Sequence, residues 1–163
     1  MAITKAKKQE INDTLTTALN DSATSVFVSF SGLGVEDNND LRKALKNNQS
    51  DYFVAKKTLM KRAMDAAGIS GDQPDLGEGM VALAFGADPM APAREVFEFS
   101  KTHENKIAIL GGVFEGSFKS QAEMMEIATI PGMETLRGMF ANLINSPLQR
   151  FAVVLSQVVE TKA

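Results

Sequence analysis

The chain predicts an α+β fold: a mixed four- to five-stranded sheet with packed helices, plus a C-terminal helical tail extending from the domain. Three observations carry that expectation. Four short apolar runs alternate with helical periodicity as far as Ile130, which is economical as one sheet with helices laid on it. The 163 residues, 44% of them hydrophobic, suffice for one packed domain and an appendage. After Pro131-Gly132 the strand signals stop and only helical spacing remains.

In chain order, Ile3 to Leu19 reads as an amphipathic helix, with Ile11, Leu15, Ala18 and Leu19 recurring behind Lys5, Lys7 and Lys8. Positive charge at a helix start opposes the dipole. Those lysines are therefore either solvated at a frayed end or held by something anionic. Val26, Val28 and Phe30 share a strand face while Phe27 is also apolar, so a strand covered on both sides is expected. Gly32-Leu33-Gly34 turns into a helix over Val35 to Asn47, whose acids come early and bases late, as the dipole prefers. Tyr52 to Ala55 is a second strand, and helical spacing resumes after Thr58 with Leu59 and Ala63 on one side.

Gly68 to Gly79, rich in Gly and Asp, is a loop, followed by a strand over Met80 to Phe85 and a helix over Ala91 to His103 begun by Pro92. Lys106 to Phe114 is the last main strand. Gly111-Gly112 interrupts it, which marks a bulge or a close backbone approach. Ser120 caps a short helix, Gln121 to Ala128.

In the tail, Leu136, Met139, Phe140 and Leu143 form a helical stripe. Ser146-Pro147 then supplies an N-cap and an N1 proline, so a break and a new helix are expected. Leu148, Phe151, Ala152, Leu155, Val158 and Val159 continue the spacing. The expected organisation is 1–130 globular and RNA-facing, 131–146 a hinge and short helix, and 147–163 a docking helix. Folding back onto the sheet is the commoner fate of such a helix. The alternative is a rail for partner helices, and in that case a partner is obligatory, because the bare apolar face would be an association liability.

Composition excludes several function classes. With no Cys there is no disulfide, thiolate metal site or Cys nucleophile. Met1 to Ile11 lacks an apolar export segment, and no run approaches the roughly 18 apolar residues of a spanning helix, so a cytoplasmic protein is expected. The single histidine, His103, sits at a helix end and reads as solvated or C-capping. Asp72, Asp75 and Glu78 make at best a weak hard-cation site. The Gly32-x-Gly34 turn is no dinucleotide loop, because the third glycine position is occupied by Asp37. No catalysis, cofactor or metal is expected.

Charge is unevenly placed within the net of −3. Residues 1–70 carry 10 Lys and Arg against 8 Asp and Glu, whereas residues 71–163 carry 7 against 12. Lys56, Lys57, Lys61 and Arg62 crowd a strand end and the first turns of a helix, and Lys57 and Lys61, four apart, repel on one face. An anion meeting them resolves that cost; a solvated face is the equal alternative. Phosphate contacts of this kind fix position and read shape. With one Tyr and no Trp, a folded RNA suits the chain better than a stacked single strand. A non-catalytic small-molecule-binding or protein-binding α+β module is the competing reading.

Val54-Ala55-Lys56-Lys57-Thr58-Leu59-Met60-Lys61-Arg62-Ala63 resembles the Val-x-Lys-Asn-Thr-Leu-x-Lys-Arg-Ala signature of the bacterial large-subunit ribosomal protein of the stalk base, with Lys57 where that family has Asn. Phe30-Ser31-Gly32-Leu33 followed by Leu41-Arg42-Lys43, Gly111-Gly112-Val113-Phe114-Glu115-Gly116, and Ile130-Pro131 with Leu136 and Pro147 are similar to its other motifs, in order. The resemblance implies a structural protein of the cytoplasmic ribosome that is not an enzyme. It implies rRNA contacts through Lys5, Lys7, Lys8, Gly32, Leu33, Lys56, Lys57, Thr58, Lys61 and Arg62, beside the eleventh large-subunit protein. It also implies that Leu148, Phe151, Ala152, Leu155, Val158 and Val159 seat dimers of the acidic stalk protein, which recruit translational GTPases.

Overall fold

A computed structural model describes residues 4–77, 79–103 and 106–162, without the side chains of Lys5 and of 159–162. The chain divides into two compact units, Met1–Ile130 and Pro131–Ala163.

The first unit runs α1 (Lys5–Asp21), β1 (Thr24–Phe30), α2 (Val35–Asn47), β2 (Ser50–Ala55), α3 (Lys57–Ala67), β3 (Met80–Gly86), α4 (Ala91–Thr102), β4 (Ile107–Phe114), β5 (Ser117–Lys119) and α5 (Gln121–Ala128). The five strands form one sheet in the order β2-β3-β1-β4-β5. Every ladder between them is antiparallel. The expected α+β class holds, but the mixed pairing does not. Strand-helix-strand alternation suggests parallel neighbours, yet β3 inserts between β1 and β2, and β1 inserts between β3 and β4. These are two interlocked split βαβ units, in which parallel partners never touch. The only parallel pairing among the described residues is an isolated bridge, Ser70 to Ser117.

As a middle strand, β1 is covered on both sides. Phe27 and Leu83 meet α1 and α3 through Leu15, Leu19, Leu59, Met60 and Met64. Val26, Val28 and Phe30 meet α2, α4 and α5 on the other face, through Leu41, Leu45, Val96 and Met124. Each fully buried side chain of this size contributes roughly 1.5–3 kcal/mol over an exposed one.

The paired glycines act where the two faces are assigned. Between Phe27 and Val28 the β1–β4 register slips, pairing Phe27 with Gly111 but Val28 with Ile109, so Leu110 is the extra residue. A one-residue slip exchanges the faces of everything beyond it. Ile107 and Ile109 therefore point into the α2–α4–α5 core, and Val113 into the α1–α3 core.

The 68–79 loop is part of the core structure. The Phe118 N–H donates to the Ser70 carbonyl at 2.9 Å, and Leu76 is 1% exposed within the α1–α3 core. The α5 start is a capping box: Ser120 Oγ accepts from Glu123 N, and Glu123 Oε2 accepts from Ser120 N at 2.9 Å.

The second unit is one helix, α6 (Met133–Lys162), with Pro147 inside it. The expected break at Ser146-Pro147 is thus corrected. An internal proline removes one i to i−4 hydrogen bond, while good helix formers such as Ala141, Leu143, Leu148, Gln149 and Ala152 flank it on both sides. No described helix is long and apolar enough to cross a membrane.

Candidate nucleic-acid interface

Because β1 and β2 are each antiparallel to β3, they run parallel to one another and end at the same side of the sheet, where β3 begins. The register fixes this, with Phe30 opposite Met80 and Ala55 opposite Val81. The same end receives the start of β4, where the Ser31 N–H donates to the Lys106 carbonyl at 2.9 Å. The Gly32 turn, Leu33 and the Lys56 cluster are therefore brought together although their strands are not neighbours. Gly32 has φ of +65°, a left-handed turn conformation that suits glycine.

The start of α3 is electrostatically unusual. Its N-cap is Lys56 and no acid stands in its first turn, so its free N–H groups and dipole are reinforced by cations rather than offset. Lys56, Thr58, Lys61 and Arg62 are exposed. Among the described residues, no ion pair engages any of these three cations. Lys57 is half-buried and donates its ammonium to the Gly77 carbonyl, tying the 68–79 loop to α3. From sequence alone Lys57 reads only as one of four equivalent cations; its structural bond to a residue twenty positions away leaves no local signal.

Ile11 of α1 shares a groove with Lys56 and Lys57. Lys7 and Lys8, exposed and one turn earlier, lie on the face of α1 that holds Ile11. The side chain of Lys5 lies outside the described residues.

The Gly32 side of this end is not basic. Glu36 and Asp37 occupy the first turn of α2. Asp37 Oδ2 accepts from Lys106 Nζ at 3.4 Å, and its Oδ1 lies 3.5 Å from His103 Nε2. Desolvation pushes the Asp37 carboxyl up, but the Lys106 hydrogen bond and charge, with Gly34 N–H and His103, outweigh it and hold the group below the ordinary carboxylate value. His103 is the C-cap of α4 and stacks on Phe99 with ring centroids 4.3 Å apart. That is a packed helix end. Lys106 is neutralised locally, so the uncompensated positive charge sits on the β2–α3–α1 side.

A second groove, of about 870 Å³, runs along α1 to the opposite end of the sheet and is rimmed by Glu10, Asp13, Asp21 and Asp51. No described lysine or arginine lines it. On the α1–α3 face the exposed Lys7, Lys8, Lys56, Lys61 and Arg62 thus stand towards one end of the strands and this acidic groove reaches the other. Among the described residues no cluster of three acids or histidines fit for a metal is present.

On α6, Leu148 is 71% and Phe151 66% exposed, and Ala152, Leu155 and Val158 are also exposed. The Val159 side chain lies outside the described residues. Upstream on the same helix Met139, Phe140, Leu143 and Ile144 are exposed too. A single helix has no core of its own, so this apolar surface calls for a cover.

The model of the family described as Ribosomal protein L10 matches residues 3–101. A curated relative, "Large ribosomal subunit protein uL10" of Shouchella clausii (strain KSM-K16), is 36% identical over 157 residues, covering 96% of this chain and 93% of that protein.

Proposed function

Since the chain belongs to the ribosomal protein L10 family, a structural family of the large ribosomal subunit, we propose that it binds rRNA at the stalk base and anchors dimers of the acidic stalk protein. Its first unit meets the RNA through the β2–α3–α1 end, with Lys7, Lys8, Lys56, Lys61 and Arg62 on phosphates, Lys57 and Thr58 at the helix start, and the Gly32-Leu33 turn beside them. The observation that carries this reading is the start of α3, where a helix N-terminus and unpaired cations coincide with no acid to offset them. Such an arrangement carries a repulsive cost in isolation, and a polyanion relieves it.

The apolar stripe of α6 seats the stalk dimers, and through them translational GTPases are recruited. The eleventh large-subunit protein is the neighbour on the RNA, and the cytoplasmic ribosome is the place of action. This role needs no catalytic group, cofactor or metal. Native mass spectrometry of the protein mixed with the acidic stalk protein and a stalk-base rRNA fragment tests both halves. The expected result is a ternary complex; failure of either component to associate overturns the corresponding half.

A further inference from the structure

The groove of about 870 Å³ along α1 has no part in phosphate binding. Glu10, Asp13, Thr14, Thr17 and Asp21 border it at the spacing of three and four residues that keeps one helix face together. Its other border is the corner where the edge strand β2 begins, and there Asp51 stands directly opposite Phe85 of β3. Residues paired across strands share a face of the sheet. Phe85 packs against the α1–α3 core yet stays half-buried, so Asp51 is on that face too, beside an aromatic ring that α1 leaves partly open.

The groove thus has an apolar floor, Phe85 with Ala18 and Ala87, beneath a rim of exposed carboxylates. Among the described residues no ion pair engages Glu10, Asp13, Asp21 or Asp51. Carboxylates gathered around one groove repel one another, and an uncovered ring stays in contact with water. An occupant with cations beside an apolar side chain relieves both. The family is one of the large ribosomal subunit, where most of the surroundings are polyanionic. A phosphate backbone is repelled by this rim, which leaves protein as the partner.

We propose that the groove docks a Lys- or Arg-bearing segment of a neighbouring protein in the large subunit. One apolar side chain of that segment covers Phe85, and its cations lie between the α1 carboxylates and Asp51. Exposed ion pairs are each worth little, so the apolar seat holds the segment while the complementary charge selects it over acidic or neutral chains. The protein then has an RNA-facing side at the start of α3 and a separate protein-facing groove.

A photoreactive phenylalanine placed at Thr17, an exposed position bordering the groove, tests this in large subunits purified from cells that make the full-length chain. Irradiation is expected to join position 17 to a Lys- or Arg-bearing segment of one other subunit protein, mapped by mass spectrometry. In the Asp13→Asn, Asp21→Asn, Asp51→Asn background the adduct is expected to fall at least about fivefold, because charge complementarity is lost. Neutralising exposed carboxylates leaves the fold intact, which a matching thermal melt checks. Adducts to rRNA alone, adducts scattered over many proteins, no adduct in the purified subunits, or an adduct unaffected by the three substitutions overturns the proposal. The same photoreactive residue at Lys61 reports separately on the basic end: if it fails to reach rRNA while the position 17 adduct forms, the RNA reading falls and the groove stands.

Discussion

The ammonium of Lys57 donates to the carbonyl of Gly77, joining the first turn of α3 to the end of a loop twenty residues away. This bond divides the cations of the basic end into two kinds, one that organises the protein and several that face outward. Lys57→Met is expected to cost about 1 kcal/mol, a typical net value for one hydrogen bond, and to speed amide exchange in the 68–79 loop. Lys56→Met changes neither, since the Lys56 ammonium has no described partner. Equal exchange in the two variants would show that the loop is held without the Lys57 bond, by Leu76, the Ser70 carbonyl and the hydrogen bond from Gln73 to Asp65.

Lys56 and Arg62 belong to the outward kind. Lys56→Glu with Arg62→Glu is expected to weaken rRNA binding by at least about tenfold and to make the salt slope shallower by about one for each phosphate that is no longer neutralised. Measuring the observed association constant over a series of salt concentrations checks this, and an unaltered slope removes these residues from the phosphate set.

Gly111 and Gly112 are expected to be intolerant of any side chain. A Cβ on Gly111 would lie 2.7 Å from Pro74 Cβ and 2.9 Å from the Lys119 carbonyl oxygen, and one on Gly112 would lie 2.5 Å from the Ser25 carbonyl oxygen. Backbone cannot move aside cheaply in a packed sheet, so either glycine to alanine costs roughly 2–4 kcal/mol. Gly116 also has positive φ, +73°, but nothing lies within 4 Å of its added Cβ. Gly116→Ala therefore costs about 1 kcal/mol, through conformation alone. Urea melts of the three variants rank these costs.

The sequence made these glycines visible as a bulge or a close approach, and they are both. Helix limits with strong local signals were equally readable: Val35–Asn47 from its charge order and Gln121–Ala128 from its Ser120 cap. Strand pairing was not, because the insertion of β3 between β1 and β2 is decided by contacts between residues far apart in the chain. The core role of Leu76 was hidden for the same reason, in a loop otherwise rich in Gly and Asp. At Pro147 a strong local rule gave the wrong answer, since a cap signal inside an otherwise continuous helical pattern is outweighed by the helix formers around it. Lys56, Lys61 and Arg62 were legible as a cluster, but the proximity of the Gly32 turn to them needed the strand order, which the sequence leaves open.

Tyr52 offers a pH prediction with a clean readout, because the chain has one tyrosine and no tryptophan. Its hydroxyl is buried without a described hydrogen-bond partner. Desolvation raises its pKa to about 12, against a small lowering by Arg42, whose guanidinium lies 5.7 Å from the ring centroid. The folded chain thus keeps a proton that the unfolded chain loses near 10. Stability from this group is complete below about pH 10 and falls as pH rises towards about 12. Phenolate absorbance should titrate at about 12 in the native protein, and higher still in Arg42→Leu. Tyr52→Phe removes an unsatisfied buried hydroxyl and is expected to leave stability unchanged or raise it by about 1 kcal/mol.

The continuity of α6 through Pro147 sets the last prediction. If the proline were a hinge that presents a separate docking helix, Pro147→Ala would stiffen the joint and impair capture of the stalk dimers. With one helix over Met133–Lys162, the same change restores a hydrogen bond, removes a cost of about 3 kcal/mol, raises helicity and leaves capture intact. Removing 147–163 takes away Leu148, Phe151 and Leu155 and is expected to abolish or sharply weaken capture, while the two cores of the first unit, which draw only on residues before Ile130, keep the same melting temperature. Phe151→Asp with Leu155→Asp achieves that loss without shortening the chain, by placing two charges where apolar partner surface must be buried. Circular dichroism and co-purification with the acidic stalk protein measure both effects. Capture that survives the double aspartate would move the docking surface upstream, to the exposed Met139, Phe140 and Leu143.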